Sequence, residues 1–290
     1  MMYKVDNAII MAAGTSSRFA PLSYELPKAL IEIKGEVLLE RQIKQIKAVG
    51  IDEIVIVTGY MSEKFEYLKE KYGVILVHND EYLTRNNNSS IYVARKYIKN
   101  SYICSADNYF NENPFEAEVN GSYYSALYAE GDTKEWCLDC DDNGIITNVQ
   151  IGGKDAWYML GHAFWDERFS ERFISILESV YELEETKNLF WENIYMMHLD
   201  CLKMEIRKYS SDIIFEFDTL DELREFDTSY VEDTRSIILK DITKQLKVSE
   251  GQLKNIRPYK DGNNAASGFV FECNGMQYQY SYKVGKVECI

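Results

Sequence analysis

The first 110 residues alternate short apolar runs with amphipathic stretches, and no other feature narrows the fold as far. Residues 7–13 (NAIIMAA), 53–58 (EIVIVT), 74–77 and 102–106 are apolar runs of strand length, the pattern of strands covered on both faces. Between them, residues 37–49, 63–72 and 90–99 carry apolar side chains at helical spacing, and Gly50 and Gly73 close the first two. Repeated strand–helix–strand order predicts a parallel sheet with helices on both faces. Ligands of such sheets bind beyond the carboxyl ends of the strands.

After Gly121 the texture changes. Strands are predicted at 123–128, 136–140, 145–151 and 156–164, with Asp142-Asn143-Gly144 as a turn. Helical patterns return at 167–181 and 190–199, followed by strands at 201–208 and 213–217. A helix over 219–226 opens with Thr219 as N-cap and Glu222 completing a capping box. The class is α/β, with a mixed sheet in a Rossmann-like core. Residues 231–290 read as a separate, small α+β appendage: an amphipathic stretch at 234–246, then strand-like runs at 255–258, 267–273 and 276–283. Asp261-Gly262 and Asn274-Gly275 break those runs, and the second is the strongest hairpin signal in the chain. The expected domains are therefore 1–230 and 231–290.

Residues 11–30, MAAGTSSRFAPLSYELPKAL, follow the first strand directly. Small residues Ala12, Ala13 and Gly14 let the backbone approach a ligand, and successive N–H groups can form a nest for phosphate oxygens. Ser17 adds a hydroxyl, and Arg18 and Lys28 place two cations beside the nest. No GKS or GKT is present, so the loop is not of the Walker A type.

Composition limits the partners. With 32 Lys and Arg against 47 Asp and Glu, the net charge is −15, which excludes a general nucleic-acid or anionic-membrane binder. A polyanionic ligand then needs local positive charge or a metal ion. No apolar run approaches the ~20 residues of a membrane span, and the N-terminus shows no leader pattern. Six scattered cysteines, with only Cys137 and Cys140 close together, fit a reduced, cytoplasmic protein. The sequence shows no Ser-His-Asp or Cys-His arrangement, and His78, His162 and His198 read as structural.

The loop resembles the AAG-x-x-[ST]R-…-PK-x-L motif of nucleoside-triphosphate-dependent nucleotidyltransferases. Residues 3–228 resemble, more narrowly, bacterial phosphocholine cytidylyltransferases. The carrying segments are VTGY (57–60), YLKEKYGV (67–74), HNDEY (78–82), SADNY (105–109), Glu135-Trp136, FWEN (190–193) and FEFD (215–218). The resemblance implies a nucleotidyltransferase core that transfers CMP from CTP to phosphocholine by direct displacement, releasing pyrophosphate. A phosphate monoester is largely dianionic at neutral pH, so its attack needs no general base. The resemblance assigns Lys28, Arg18 and Asp107 to catalysis. It assigns Ala12, Ala13, Gly14, Ser17, Arg18, Lys28, Asn87, Ser90 and Ala106 to the nucleotide, although an aromatic pair of related enzymes is replaced by Asn88 and Ser89.

Mg²⁺ is the expected cofactor. Asp107 follows an apolar strand, and Glu216 and Asp218 alternate along another, so those two point to one face. Carboxylates from two strand ends suit an ion that prefers oxygen ligands; the resemblance makes Asp107 and Asp218 the ligands and Glu216 their support. Trp136, Phe190, Trp191 and Glu192 match the family's amine cage, in which ring faces and a carboxylate hold a quaternary ammonium. Helix packing is the alternative for the aromatic pair. Residues 255–278 also resemble the start of a choline-kinase-type fold without its catalytic loop, so the appendage is expected to dock or dimerise and to be dispensable for transfer. Homo-oligomerisation stays open. Competing functions are a 2-aminoethylphosphonate or phosphoethanolamine cytidylyltransferase, a sugar-1-phosphate nucleotidyltransferase, and a catalytically silent binding protein.

Overall fold

Four parallel strands form where the apolar runs stand: β1 (Asn7–Ala12), β2 (Glu53–Thr58), β3 (Ile75–His78) and β4 (Ser101–Ser105). The computed structural model describes residues 2–260 and 266–290, so the expected Asp261-Gly262 turn lies outside the described residues. The chain divides into two compact units, Met1–Gly14 with Leu39–Glu216, and Thr15–Leu38 with Phe217–Ile290.

In the first unit a long antiparallel hairpin, β5 (Tyr123–Cys140) and β6 (Ile146–Trp165), and the short β7 (Glu205–Lys208) extend the sheet. The order is β7-β5-β6-β4-β1-β2-β3, with β6 antiparallel to β4 and β7 parallel to β5. The four strands expected between 123 and 164 are thus two. Register shifts along the β5–β6 ladder carry it through the polar stretches that suggested breaks.

Helices α1 (Leu38–Ala48), α2 (Tyr67–Tyr72), α3 (Asn88–Ala94), α4 (Glu167–Val180) and α5 (Trp191–Met196) lie near the expected positions. Asp166 caps α4 by accepting the Phe169 N–H at 3.1 Å. Val55, Val57 and Ile103 on the sheet share one core with Ile91, Phe173 and Trp191 from α3, α4 and α5.

The second unit contains the 15–38 loop together with α6 (Leu220–Phe226), α7 (Ile237–Leu246) and a four-stranded antiparallel sheet. Its strands are β8 (Lys254–Lys260), β9 (Ala266–Cys273), β10 (Met276–Ser281) and β11 (Lys286–Cys289). Asn274 and Gly275 both have positive φ, 50° and 78°, the geometry of the predicted two-residue hairpin turn. β11 carries no apolar run and escaped sequence reading. The Glu222 N–H donates to Thr219 Oγ1 at 3.2 Å, but Glu222 accepts from the Asp218 N–H at 2.7 Å and not from that of Thr219, so half of the expected capping box forms. The composition boundary at 230 does not coincide with the division by packing, which falls at Phe217 and places the appendage in one unit with the 15–38 loop. Among the described residues no helix is long and apolar enough to cross a membrane, and the six cysteines are free.

Candidate active site

β1 and β4 are parallel neighbours with Met11 opposite Ser105, and the Ala106 N–H donates to the Met11 carbonyl at 3.1 Å. Ala12-Ala13-Gly14 and Ala106-Asp107 therefore leave the sheet at one edge. That edge is where the strand order reverses, since β2 lies on one side of β1 and β4 on the other. A Cβ placed on Gly14 would meet no atom within 4 Å, which leaves open space at the backbone of the small-residue turn.

Asp107 is held in place from several directions. Ser105 Oγ donates to its Oδ1 at 2.6 Å. Buried Gln42 on α1 donates to the carbonyls of Ser105 (3.0 Å) and Asn108 (2.7 Å), fixing the backbone on both sides. Asn108 in turn pairs with Glu216 in the short ladder of Asn108–Phe110 with Ile214–Glu216, which brings Glu216 beside this turn. The strand ends at Glu216, so the expected alternation from Glu216 to Asp218 along one strand does not form. Asp218 instead begins the cap of α6. Among the described residues no three Asp, Glu, His or Cys side chains converge as a ready metal cluster.

Tyr124 on β5 lies among the acidic groups of the first unit. Its Oη donates to Glu192 Oε1 at 3.3 Å. Burial, then the charge of Glu192 and those of Glu216 and Asp107, push its phenol well above the usual range. Glu192 is itself raised to about 7, by burial first, against the hydrogen bonds of its backbone, Asn87 and Tyr124.

Asn87 spends both polar ends on α5: its Oδ1 accepts the Trp191 N–H at 2.7 Å and its Nδ2 donates to Glu192 Oε2 at 3.2 Å. Neighbouring Asn88 is buried and donates to the carbonyls of Thr186 (2.9 Å) and Leu189. Ser90 Oγ accepts from Asn79 at 3.2 Å. The polar run 86–90, expected at the nucleotide, thus makes its observed bonds to protein groups. α3 begins at Asn88, so Ser89 lies inside the helix.

Trp136 on β5 and Phe190 at the entry to α5 meet edge to face, centroids 5.7 Å apart at 88°. Phe190 is 42% exposed. Trp191 is 1% exposed and packs against Tyr124, Trp165 and Phe173. Of the two parts open to Trp191, ring face or packing, the structure shows packing. His162 is buried with its Nε2 2.8 Å from Tyr123 Oη, and burial, then the charge of Arg207, lowers it to about 3.

In the second unit, Ser17–Phe19 form a turn in which Arg18 pairs with Asp218 at 2.7 Å. Lys28 opens a second turn, Lys28–Leu30, and is 5% exposed, with its ammonium 5.7 Å from the Phe19 ring centroid. Sequence reading missed Gln42, Tyr124 and the bonds from Asn87 to α5. Gln42 had a signal: it interrupts the buried face of α1 between Leu39 and Ile46.

Residues 8–113 match the family model of the MobA-like NTP transferase domain. The choline-phosphate cytidylyltransferase of Streptococcus pneumoniae is 35% identical over 76% of this chain and 96% of its own length. The 2-aminoethylphosphonate cytidylyltransferase of Lancefieldella rimae is 36% identical over 78% of this chain and 93% of its own. The solved CTP:phosphocholine cytidylyltransferase from S. pneumoniae superposes with a TM-score of 0.75, covering 78% of this chain and 99% of that one at 35% identity. The inositol-1-phosphate CTP transferase of T. maritima shares the fold at 14% identity and a TM-score of 0.59, over 77% of this chain and 93% of its own.

Proposed function

The chain belongs to the bacterial choline-phosphate cytidylyltransferase family, and from that premise we propose that it transfers CMP from CTP to phosphocholine. A phosphate oxygen of phosphocholine attacks the α-phosphorus of CTP, the bond to the bridging oxygen breaks, and pyrophosphate leaves. No residue is needed to deprotonate the nucleophile. The residues bind, orient and neutralise.

The small-residue turn 12–14 offers backbone N–H groups to phosphate, with open space at Gly14. Lys28 and Arg18 offset triphosphate charge. Asp107 and Glu216, brought to one turn by the Asn108–Glu216 pairing, would offer carboxylate oxygens of the kind Mg²⁺ prefers. Asp218, here paired with Arg18, is the further carboxylate that the family resemblance assigns to the ion. Bound Mg²⁺ supplies charge neutralisation at the phosphates. These assignments, and a cytoplasmic setting, are part of the proposal.

The observation that carries the choice of acceptor is the right-angle contact of Trp136 with Phe190, with Glu192 in the first turn of α5. A quaternary ammonium donates no strong hydrogen bond, so ring faces and a carboxylate are its natural partners. Trp136→Ala is expected to raise KM for phosphocholine up to about thirty-fold, equivalent to ~2 kcal/mol, with little change in KM for CTP. Equal effects on both substrates contradict the cage. The second reading, 2-aminoethylphosphonate as acceptor, is favoured by the comparable identity of the L. rimae relative.

A further inference from the structure

Residues 231–290 carry none of the residues assigned to chemistry, yet they hold the loop that carries Arg18 and Lys28. Glu25 reaches the N-terminus of α7. Its Oε1 accepts from Ser236 Oγ at 2.7 Å and from the Ile238 N–H at 2.9 Å, and its Oε2 accepts from the Ile237 N–H at 2.9 Å. The first N–H groups of a helix lack partners within it. A carboxylate there gains both charged hydrogen bonds and the helix dipole. Beside it, Tyr24 stacks on Tyr282 with centroids 3.8 Å apart and planes 4° from parallel.

A second tether lies on the far side of Lys28. The Glu32 carbonyl accepts from Tyr230 Oη at 2.6 Å and from Arg235 Nη1 at 2.7 Å. The Lys34 N–H donates to Asp227 Oδ2 at 2.7 Å. Between the tethers, the turn at Lys28 is closed by Leu30 N–H to the Pro27 carbonyl (2.8 Å) and Ile31 N–H to the Lys28 carbonyl (3.1 Å). The tethering residues are themselves fixed. Buried Arg224 on α6 donates to the carbonyls of Tyr230, Glu250 and Leu253, and Glu250 accepts from the Thr234 N–H at 2.7 Å.

We propose that the C-terminal residues act as a positioning element for cytidylyl transfer, with Glu25, seated on the N-terminus of α7, as the positioning residue that sets Lys28. The proposal rests on the reading that Lys28 serves the triphosphate. It replaces the expectation that residues 231–290 are dispensable. A misplacement of about 1 Å in a catalytic group costs on the order of 10²-fold in rate, so loosening this tether acts on turnover before it acts on folding.

The test is a double-mutant cycle in the full-length chain, reading pyrophosphate release from CTP and phosphocholine in Mg²⁺. Glu25→Ala is expected to lower kcat about ten-fold or more, and Glu25→Asp to recover part of the loss. In a Lys28→Ala background, Glu25→Ala is expected to cost less than about two-fold, because residues acting as a unit are not additive. Hydrogen exchange at the Leu30 and Ile31 amides is expected to quicken in Glu25→Ala. Wild-type kcat in Glu25→Ala, or losses that multiply in the double variant, overturn the proposal. If Lys28→Ala alone keeps full turnover, the Lys28 assignment fails, and unchanged exchange at Leu30 and Ile31 then decides against the tether as well. Should Glu25→Ala not fold, Tyr282→Ala, which removes the stack on Tyr24 together with the ring contacts to Phe269 and Tyr280, is read in the same cycle by the same criteria.

Discussion

Glu192 faces two demands of opposite sign. Burial raises its pKa to about 7, while a cationic acceptor favours its ionised form. Affinity for a quaternary ammonium should therefore fall as pH drops through about 7 and Glu192 takes up a proton. The expected result is a rise in KM for phosphocholine over that window, flattened in Glu192→Gln. The phosphate of the acceptor itself titrates near ~6, so the difference between the two profiles is the reading, and identical profiles contradict it. Folding gives an independent check. A carboxyl raised from 4.5 to about 7 costs nothing below its unfolded value and destabilises progressively as pH rises through 7. Glu192→Gln should thus raise Tm more at pH about 8 than at pH about 5. At the same scale, Asp107→Ala is expected to abolish turnover without unfolding the chain, since Gln42 holds the carbonyls of Ser105 and Asn108 independently of the Asp107 carboxylate. Near-normal Mg²⁺-supported activity contradicts its role.

At the scale of elements, α5 carries residues proposed for the acceptor, and Asn87 bonds its first turn. Asn87→Ala removes both bonds to Trp191 and Glu192. It should raise KM for phosphocholine several-fold more than KM for CTP; the reverse order returns Asn87 to the nucleotide. The bonds from Asn87 to α5 were not legible in the sequence, because a polar triplet between strand and helix looks the same whether it faces a ligand or another loop. The parallel strands were legible because runs such as 53–58 are buried on both faces and bounded by glycine. The turn positions of Gly14 and Asp107 followed from them. The β5–β6 hairpin was legible in its ends and not in its length, since bulges carry strands through polar stretches without local signal. Trp191 shows the same limit in the site: an aromatic pair at a helix start does not declare which ring faces inward.

Across the whole molecule, a net charge of −15 coexists with a proposed polyanionic substrate. Positive charge is local: Arg18 and Lys28 stand on one loop, and C-terminal residues tether that loop on both sides of Lys28. Composition marked residues 231–290 as separate, because tethers formed by a carboxylate on a helix end and by backbone carbonyls leave no sequence pattern. Pneumococcal choline-phosphate cytidylyltransferase aligns over 96% of its own length but 76% of this chain, so about a quarter of this chain lies outside that alignment. The central claim is the identity of the transfer. Pyrophosphate release from CTP in Mg²⁺, with phosphocholine, phosphoethanolamine and 2-aminoethylphosphonate compared side by side, tests it most directly. The account predicts the highest kcat/KM with phosphocholine; a preference for either primary amine, or no release with any of the three, contradicts it.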